Sequence, residues 1–278
     1  METKIIDGRK IKDEILEKIK EDVLSLSFSP VFCDILVGND QVSASYVRIK
    51  SRMAESVEIK FRTAVFENTV STEELIEEIE NLNRVPHMCG IIVQLPLPIH
   101  IDKRMVLDAI TPGLDVDCLG IINSENFYQD EGNIKFPTAI ACVKILDSLN
   151  IDLSKKKILI LGQGDLVGLP VTHLLNSRGL DITTVNTKTE NTELLIKNAD
   201  IIISAIGHAK YIKGDMVKEG VVIIDAGTSE DNGAVVGDVD LDSVMGIASF
   251  VSPTPGGVGP VTVAMLLKNV LLVAKQKI

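Results

Sequence analysis

Short apolar runs alternate with helical patterns along the whole chain, and this alternation restricts the fold more than any other feature. In the first half, residues 8–24 carry helical spacing through Ile11, Ile15, Ile19 and Val23. Val31 to Val37 reads as a strand, and Val42, Tyr46, Ile49, Met53 and Val57 form one helical face. Ile59 to Val65 is a second strand and 71–83 an acidic helix. Cys89 to Gln94 is a buried strand ended by Leu-Pro-Leu-Pro, with a short helix near 102–109 after it. In the second half, strands are expected at 157–161, 181–185, 200–204, 221–225 and 245–250. A glycine loop at 162–168 leads into a helix ending near 178, where Gly179 is a suitable stop. Strand–helix alternation on both sides predicts an α/β chain of two parallel-sheet domains. Its 278 residues suit two domains of ~100–200 residues each. The expected division is an N-terminal catalytic domain over 1–120 and a Rossmann-like domain over 121–260, with a helix at 261–278 packing back on the first. A ligand is expected in a cleft between them, at the carboxyl ends of the strands.

Charge and composition remove several classes of function. A net charge of −11 argues against nucleic-acid or anionic-membrane partners, which need basic surface. Cys33, Cys89, Cys118 and Cys142 are widely spaced and read as reduced thiols of a cytoplasmic protein. His87, His100, His173 and His208 are scattered, so no metal site is expected. The N-terminus lacks the apolar core of a signal peptide. The C-terminal apolar run is interrupted by Lys268 and Asn269 and is expected to be too short to span a bilayer.

Gly162-Gln163-Gly164-Asp165-Leu166-Val167-Gly168 follows an apolar strand and opens a helix, the context that a dinucleotide loop requires. Glycines there let the backbone approach a pyrophosphate at a helix N-terminus, where free amides favour anions. The next strand ends Val185-Asn186-Thr187-Lys188-Thr189, with no acid at its tip to hold a ribose 2′-hydroxyl. Hydroxyls and a lysine suit a 2′-phosphate, so NADP is expected, with NAD possible through nearby Glu190.

Residues 253–260 read Pro-Thr-Pro-Gly-Gly-Val-Gly-Pro. Proline fixes φ and glycine bares the backbone, which suits a flat ligand against the main chain. Ser43, Tyr46 and Lys50 lie on one expected helix, with Tyr46 and Lys50 adjacent at i,i+4 and Lys50 at the edge of the apolar face. A partly desolvated lysine exchanges protons more readily near neutrality. Alone, the pair also fits a snorkelling lysine beside a core tyrosine. Gln94 ends a buried parallel strand and so points to a ligand cleft. Of Asp115 and Asp117, one suits a turn cap and the other a grip on an amino-bearing ring; spacing does not choose between them.

Five motifs in order resemble the bifunctional methylenetetrahydrofolate dehydrogenase/cyclohydrolase family over essentially the whole chain. They are Ser43-x-x-Tyr46-Val47-x-x-Lys50, Val93-Gln94-Leu95-Pro96-Leu97-Pro98, Asp115-Val116-Asp117, Gly162-x-x-x-x-Val167-Gly168-x-Pro170, and Pro253-x-Pro255-Gly256-Gly257-Val258-Gly259-Pro260-x-Thr262. The resemblance implies oxidation of 5,10-methylenetetrahydrofolate with NADP, then hydrolysis of the methenyl cation to 10-formyltetrahydrofolate, in one-carbon metabolism and purine biosynthesis. It implies that Lys50 transfers protons, Gln94 hydrogen-bonds Lys50, Tyr46 stacks on folate and Asp117 binds the pterin. Pro255, Gly256, Gly257 and Val258 would cover the folate. Gly162, Gln163, Gly164, Thr187, Lys188 and Thr228 would face the cofactor. A cytoplasmic homodimer is implied as well. Gln163-Gly164 stands where the family usually has Arg-Ser, and Cys118 where it usually has Gly. If residue 118 takes positive φ, a cysteine there costs ~1 kcal/mol or more. The alternatives are a shikimate-type NADP dehydrogenase and a folate-binding protein that has lost turnover.

Overall fold

The computed structural model describes residues 2–231 and 233–278, without the side chain of Val42. In chain order the elements are β1 (Lys4–Ile5), α1 (Gly8–Leu24), β2 (Val31–Val37), α2 (Gln41–Ser56), β3 (Lys60–Phe66), α3 (Thr72–Asn83), β4 (Met88–Val93), α4 (Lys103–Asp108), α5 (Ile121–Tyr128) and α6 (Pro137–Ser148). There follow β5 (Ile158–Leu161), α7 (Gly168–Asn176), β6 (Ile182–Val185), α8 (Thr192–Asn198), β7 (Ile201–Ser204), β8 (Val222–Asp225), β9 (Ser229–Asp231), β10 (Ala234–Val236), α9 (Leu241–Val244), β11 (Phe250–Val251) and α10 (Val258–Lys275).

The chain divides into two compact units. One comprises Glu14–Pro137 with Val263–Ile278; the other comprises Met1–Asp13 with Thr138–Thr262. In the first, β2 is the middle strand of a parallel sheet ordered β3-β2-β4. Its seven residues read Val-Phe-Cys-Asp-Ile-Leu-Val and all but Val31 are buried. Helix α3 starts with a capping box between Ser71 and Glu74, which fixes its first turn. The end of α10 belongs to this unit. Asn269 donates to the carbonyls of Val116 and Lys135, and a Cβ on Gly90 of β4 would stand 2.9 Å from Val270 Cγ2. By length and composition α10 would reach across a bilayer, yet 67% of it is buried within the protein, as in a core helix.

The other unit is a six-stranded parallel sheet in the order β1-β11-β8-β7-β5-β6. From β5 the chain steps outward to β6 and then returns to the other side of β5 as β7. That reversal creates the crevice where an open α/β sheet binds its ligands.

The structure differs from the expected boundaries at both ends. Residues 2–13 join the second half because β1 pairs with β11, and residues 121–137 stay with the first half. The strand expected at 245–250 shrinks to Phe250–Val251. Gly246 takes φ +83°, and the amides of Ile247 and Ala248 bond back to Val244, closing a turn instead.

Candidate functional site

Helix α2 carries the lysine, and its cap sets which side faces inward. Asp40 accepts from the Ser43 amide at 2.7 Å, so the helix begins at Gln41. The buried face then comprises Ser43, Val47, Lys50, Ala54 and Val57, while Ile49 is 40% exposed. This corrects the expected face through Tyr46, Ile49 and Met53: Lys50 lies within the buried stripe, only 7% exposed, and Tyr46 is partly buried one turn earlier. A buried ammonium needs partners. Lys50 Nζ lies 2.6 Å from Asp34 Oδ2 and donates to Gln94 Oε1 at 2.8 Å. Sheet register explains the meeting. Asp34 of β2 stands beside Ile92 of β4, and Gln94, two residues on, faces the same side. The Gln94 amide continues the ladder by donating to the Ile35 carbonyl at 2.8 Å. Asp34 has 0% exposure, and burial pushes its carboxyl above the usual range while Lys50 opposes that shift.

The segment after α4 assigns the two aspartates different tasks. Asp115 is buried and bridges to Ile91 of β4; its carboxylate accepts from the amides of Leu119 at 3.2 Å and Gly120 at 2.9 Å. It is the turn cap. Asp117 makes no side-chain hydrogen bond among the described residues, and part of its surface is open. Protein atoms crowd its carboxyl, so burial pushes its pKa up to about 6, with Lys50 drawing it down. Cys118 has φ +63°, the left-handed conformation that favours glycine. Its buried thiol points toward the carbonyls of Asn123 and Ile134.

In the other unit the glycine loop leaves β5 at the crevice. Gly162 has φ +90°, and a Cβ there would run into the Ala205 carbonyl beyond β7; one on Gly168 would strike the Gly162 carbonyl. Gly164 has nothing within 4 Å of its Cβ position. Among the described residues no side chain caps the start of α7; Leu169 donates to the Gly164 carbonyl, Val171 to the Val167 carbonyl and Pro170 has no N–H, which leaves the Gly168 amide of the first turn to face an anion. This cradle fits a dinucleotide pyrophosphate. Gln163 is turned back on the loop, donating to the Gly162 carbonyl at 2.9 Å and meeting Thr172 Oγ1 at 3.3 Å. Thr187 and Lys188 are exposed at the end of β6, in a turn closed by Asn186 and Thr189. Thr228 is exposed past β8. The Pro-Gly loop lies in this unit too: Gly256 has φ +110°, the Gly257 amide donates to the Pro253 carbonyl, Pro255 is exposed and Val258 is buried.

Lys50, Gln94, Asp117 and Tyr46 thus share one unit, and the six cofactor positions share the other. Sequence reading missed Asp34, whose signal is an acid inside an otherwise apolar strand. It also missed Asp225 and Asp238, both fully enclosed near the ends of β8 and β10.

Residues 6–117 match the family described as tetrahydrofolate dehydrogenase/cyclohydrolase, catalytic domain, and residues 137–278 match its NAD(P)-binding domain. A bifunctional protein FolD of Halothermothrix orenii is 38% identical, covering 98% of each chain. The crystal structure of the bifunctional dehydrogenase/cyclohydrolase FolD of Campylobacter jejuni has a TM-score of 0.94 at 34% identity, covering 99% of this chain and 100% of that one. The Trypanosoma brucei dehydrogenase-cyclohydrolase, solved with NADP and an inhibitor, gives the same score and identity over 100% of this chain and 99% of its own.

Proposed function

Since this chain belongs to the tetrahydrofolate dehydrogenase/cyclohydrolase family, we infer that it oxidises 5,10-methylenetetrahydrofolate and hydrolyses the product to 10-formyltetrahydrofolate. The observation that carries the reading is Lys50, buried and hydrogen-bonded to Gln94 in the same unit as Asp117. The first unit takes the folate. Asp117, with no side-chain partner of its own, accepts from the amino-pyrimidine edge of the pterin. Tyr46 offers its ring to the aminobenzoyl group. The other unit takes NADP, with the pyrophosphate on Gly162 to Gly164 and the start of α7, and with Thr187, Lys188 and Thr228 around the ribose. Gln163 lines the same loop. NADP held there would supply the acceptor for the hydride that leaves the methylene carbon.

In the second step a water oxygen bonds to the methenyl carbon. The bond from that carbon to N5 then breaks, N5 takes one water proton, and the other is released. Lys50 receives and passes on protons in this sequence, held in place by Gln94. The same reading takes the enzyme to be a cytoplasmic homodimer that acts in one-carbon metabolism and supplies purine biosynthesis. Its net charge of −11 keeps nucleic acid and anionic membranes away.

Purified protein should reduce NADP with 5,10-methylenetetrahydrofolate and speed the loss of 5,10-methenyltetrahydrofolate absorbance. No reduction of either nicotinamide cofactor, together with methenyl loss no faster than in buffer, would overturn the assignment. Light scattering after size exclusion checks the dimer; a monomer at working concentration removes that part.

A further inference from the structure

The reading above has no task for Asp34. It occupies the middle of β2 with no exposed surface, between Cys33 and Ile35, which are equally buried. A lone carboxylate in such a place is costly, because nothing replaces its lost hydration. Its compensation is the ion pair with Lys50 Nζ, 2.6 Å from Oδ2; neither carboxylate oxygen has a well-aligned hydrogen-bond donor among the described residues. Gln94 Oε1 accepts one proton of the same ammonium at 2.8 Å. An ammonium has three donors. One is directed to the end of β4 and the charge is held against Asp34 on β2, which leaves donor capacity for water or substrate.

We propose that Asp34 is a positioning residue for Lys50: its carboxylate aims the amine and sets the pH at which the amine gives up its proton. The proposal rests on Lys50 as the proton-transfer group. Other titratable groups near α2 play smaller parts. Asp117 acts on Lys50 through space, and Asp115 behind it is bound by the Leu119 and Gly120 amides. From β3, Arg62 acts on Cys33, whose thiol burial pushes up to about 12 and so keeps neutral. Asp34 is the one in contact with Nζ. As the attacking water loses a proton to neutral Lys50, the ammonium forms against a carboxylate already in place. Asp34 itself exchanges no atom. The positive charge thereby passes from the substrate to the lysine beside the carboxylate, with no change in local net charge.

The sign of the effect is definite. An adjacent anion favours the ammonium, so removing it releases the proton at lower pH. Asp34→Asn should move the acid limb of the cyclohydrolase pH–rate profile down by ~1–3 pH units. It should also lower the plateau kcat by about tenfold or more, with a smaller change in KM. A variant with the unmodified profile and kcat would overturn the proposal. Nitrogen-15 spectra of labelled lysine, with Lys50→Met to assign the signal, read the same coupling without turnover. The Lys50 ammonium signal should persist to higher pH in the unmodified protein than in Asp34→Asn. If the protein proves inactive on folate yet this difference appears, the reaction assignment fails and the pairing stands. If Asp34→Asn does not fold, the unmodified protein still decides. The Asp34 carboxyl and Lys50 amine signals should then titrate together, and independent titration would overturn the proposal.

Discussion

Two pairs of carboxylates, one pair in each unit and all but Asp117 buried, are held in opposite ways. In the first unit Asp34 contacts a mobile-proton partner, Lys50, and Asp117 feels the same charge through space. In the other, Asp225 accepts from the amides of Gly227, Asp238 and Val239. Asp238 accepts from Ser204 Oγ and from the amides of Ile206 and His208. Burial pushes Asp225 up to about 7, with the Asp238 charge adding to the rise and the amides resisting it. Acids fixed by backbone donors cannot shift without unmaking the loops that follow β7 and β8. An acid that answers to a lysine can trade charge with it. The amide-held pair Asp225 and Asp238 fixes the loops after β7 and β8, whereas Asp34 faces a group whose charge can change.

The contrast breaks most visibly at Lys50. Lys50→Met should abolish cyclohydrolase activity, followed as methenyl absorbance, and leave the fold intact. Removing one partner of a buried ion pair typically costs ~3–5 kcal/mol, an amount that proton uptake by the orphaned Asp34 lowers, so the fold should survive at reduced stability. Near-unmodified hydrolysis would remove the lysine from the mechanism. Next in size, Asp117→Ala should weaken binding of a folate analogue by ~2–5 kcal/mol in calorimetry and leave NADP binding unchanged. In the unmodified protein the same affinity should fall as pH drops through about 6, where Asp117 takes up a proton. An unaltered dissociation constant would pass the role to another acceptor.

In the other unit, Asp238→Ala should cost ~2–3 kcal/mol, because orphaned donors outweigh the relieved repulsion with Asp225. Hydrogen exchange of the β7 and β8 amides would report it. Asp225 has a raised folded pKa. Its contribution to stability is therefore present below the ordinary carboxylate range and is lost as pH rises through about 7. That loss should shrink in Asp238→Ala. Protection unchanged by the substitution would mean that the two acids do not act as one network. The smallest expected effect is Gln163→Arg, which should raise kcat/KM for NADP several-fold at low salt and less at high salt, since exposed ion pairs are screened. A clear NAD preference in the unmodified protein would contradict it.

The parallel alternation and both glycine loops were legible because each rests on local sequence: period, length and backbone permissiveness. The inward face of α2 was not. Counting apolar residues treats lysine as outward-facing, whereas Asp34 on a distant strand makes Lys50 an interior residue. Spacing could not separate Asp115 from Asp117, since the amides of Leu119 and Gly120 that claim the first come from the fold of the turn. Strand β1 is two residues long, too short for any period, and its pairing with β11 is a long-range fact. The positive φ at Cys118 marks a point where Cys118→Gly should relieve strain.

The glycine loop has a further consequence for descent. At Gly162 and Gly168 any side chain meets carbonyl oxygen, so these positions are closed to mutation as long as the sheet keeps its shape. Gly164, with open space around it and no left-handed backbone, is free to vary. Inheritance therefore protects the frame and exposes the two residues between its fixed points. A lineage built on this loop can drift from one dinucleotide to another through single substitutions at 163 and 164, with every intermediate still folded.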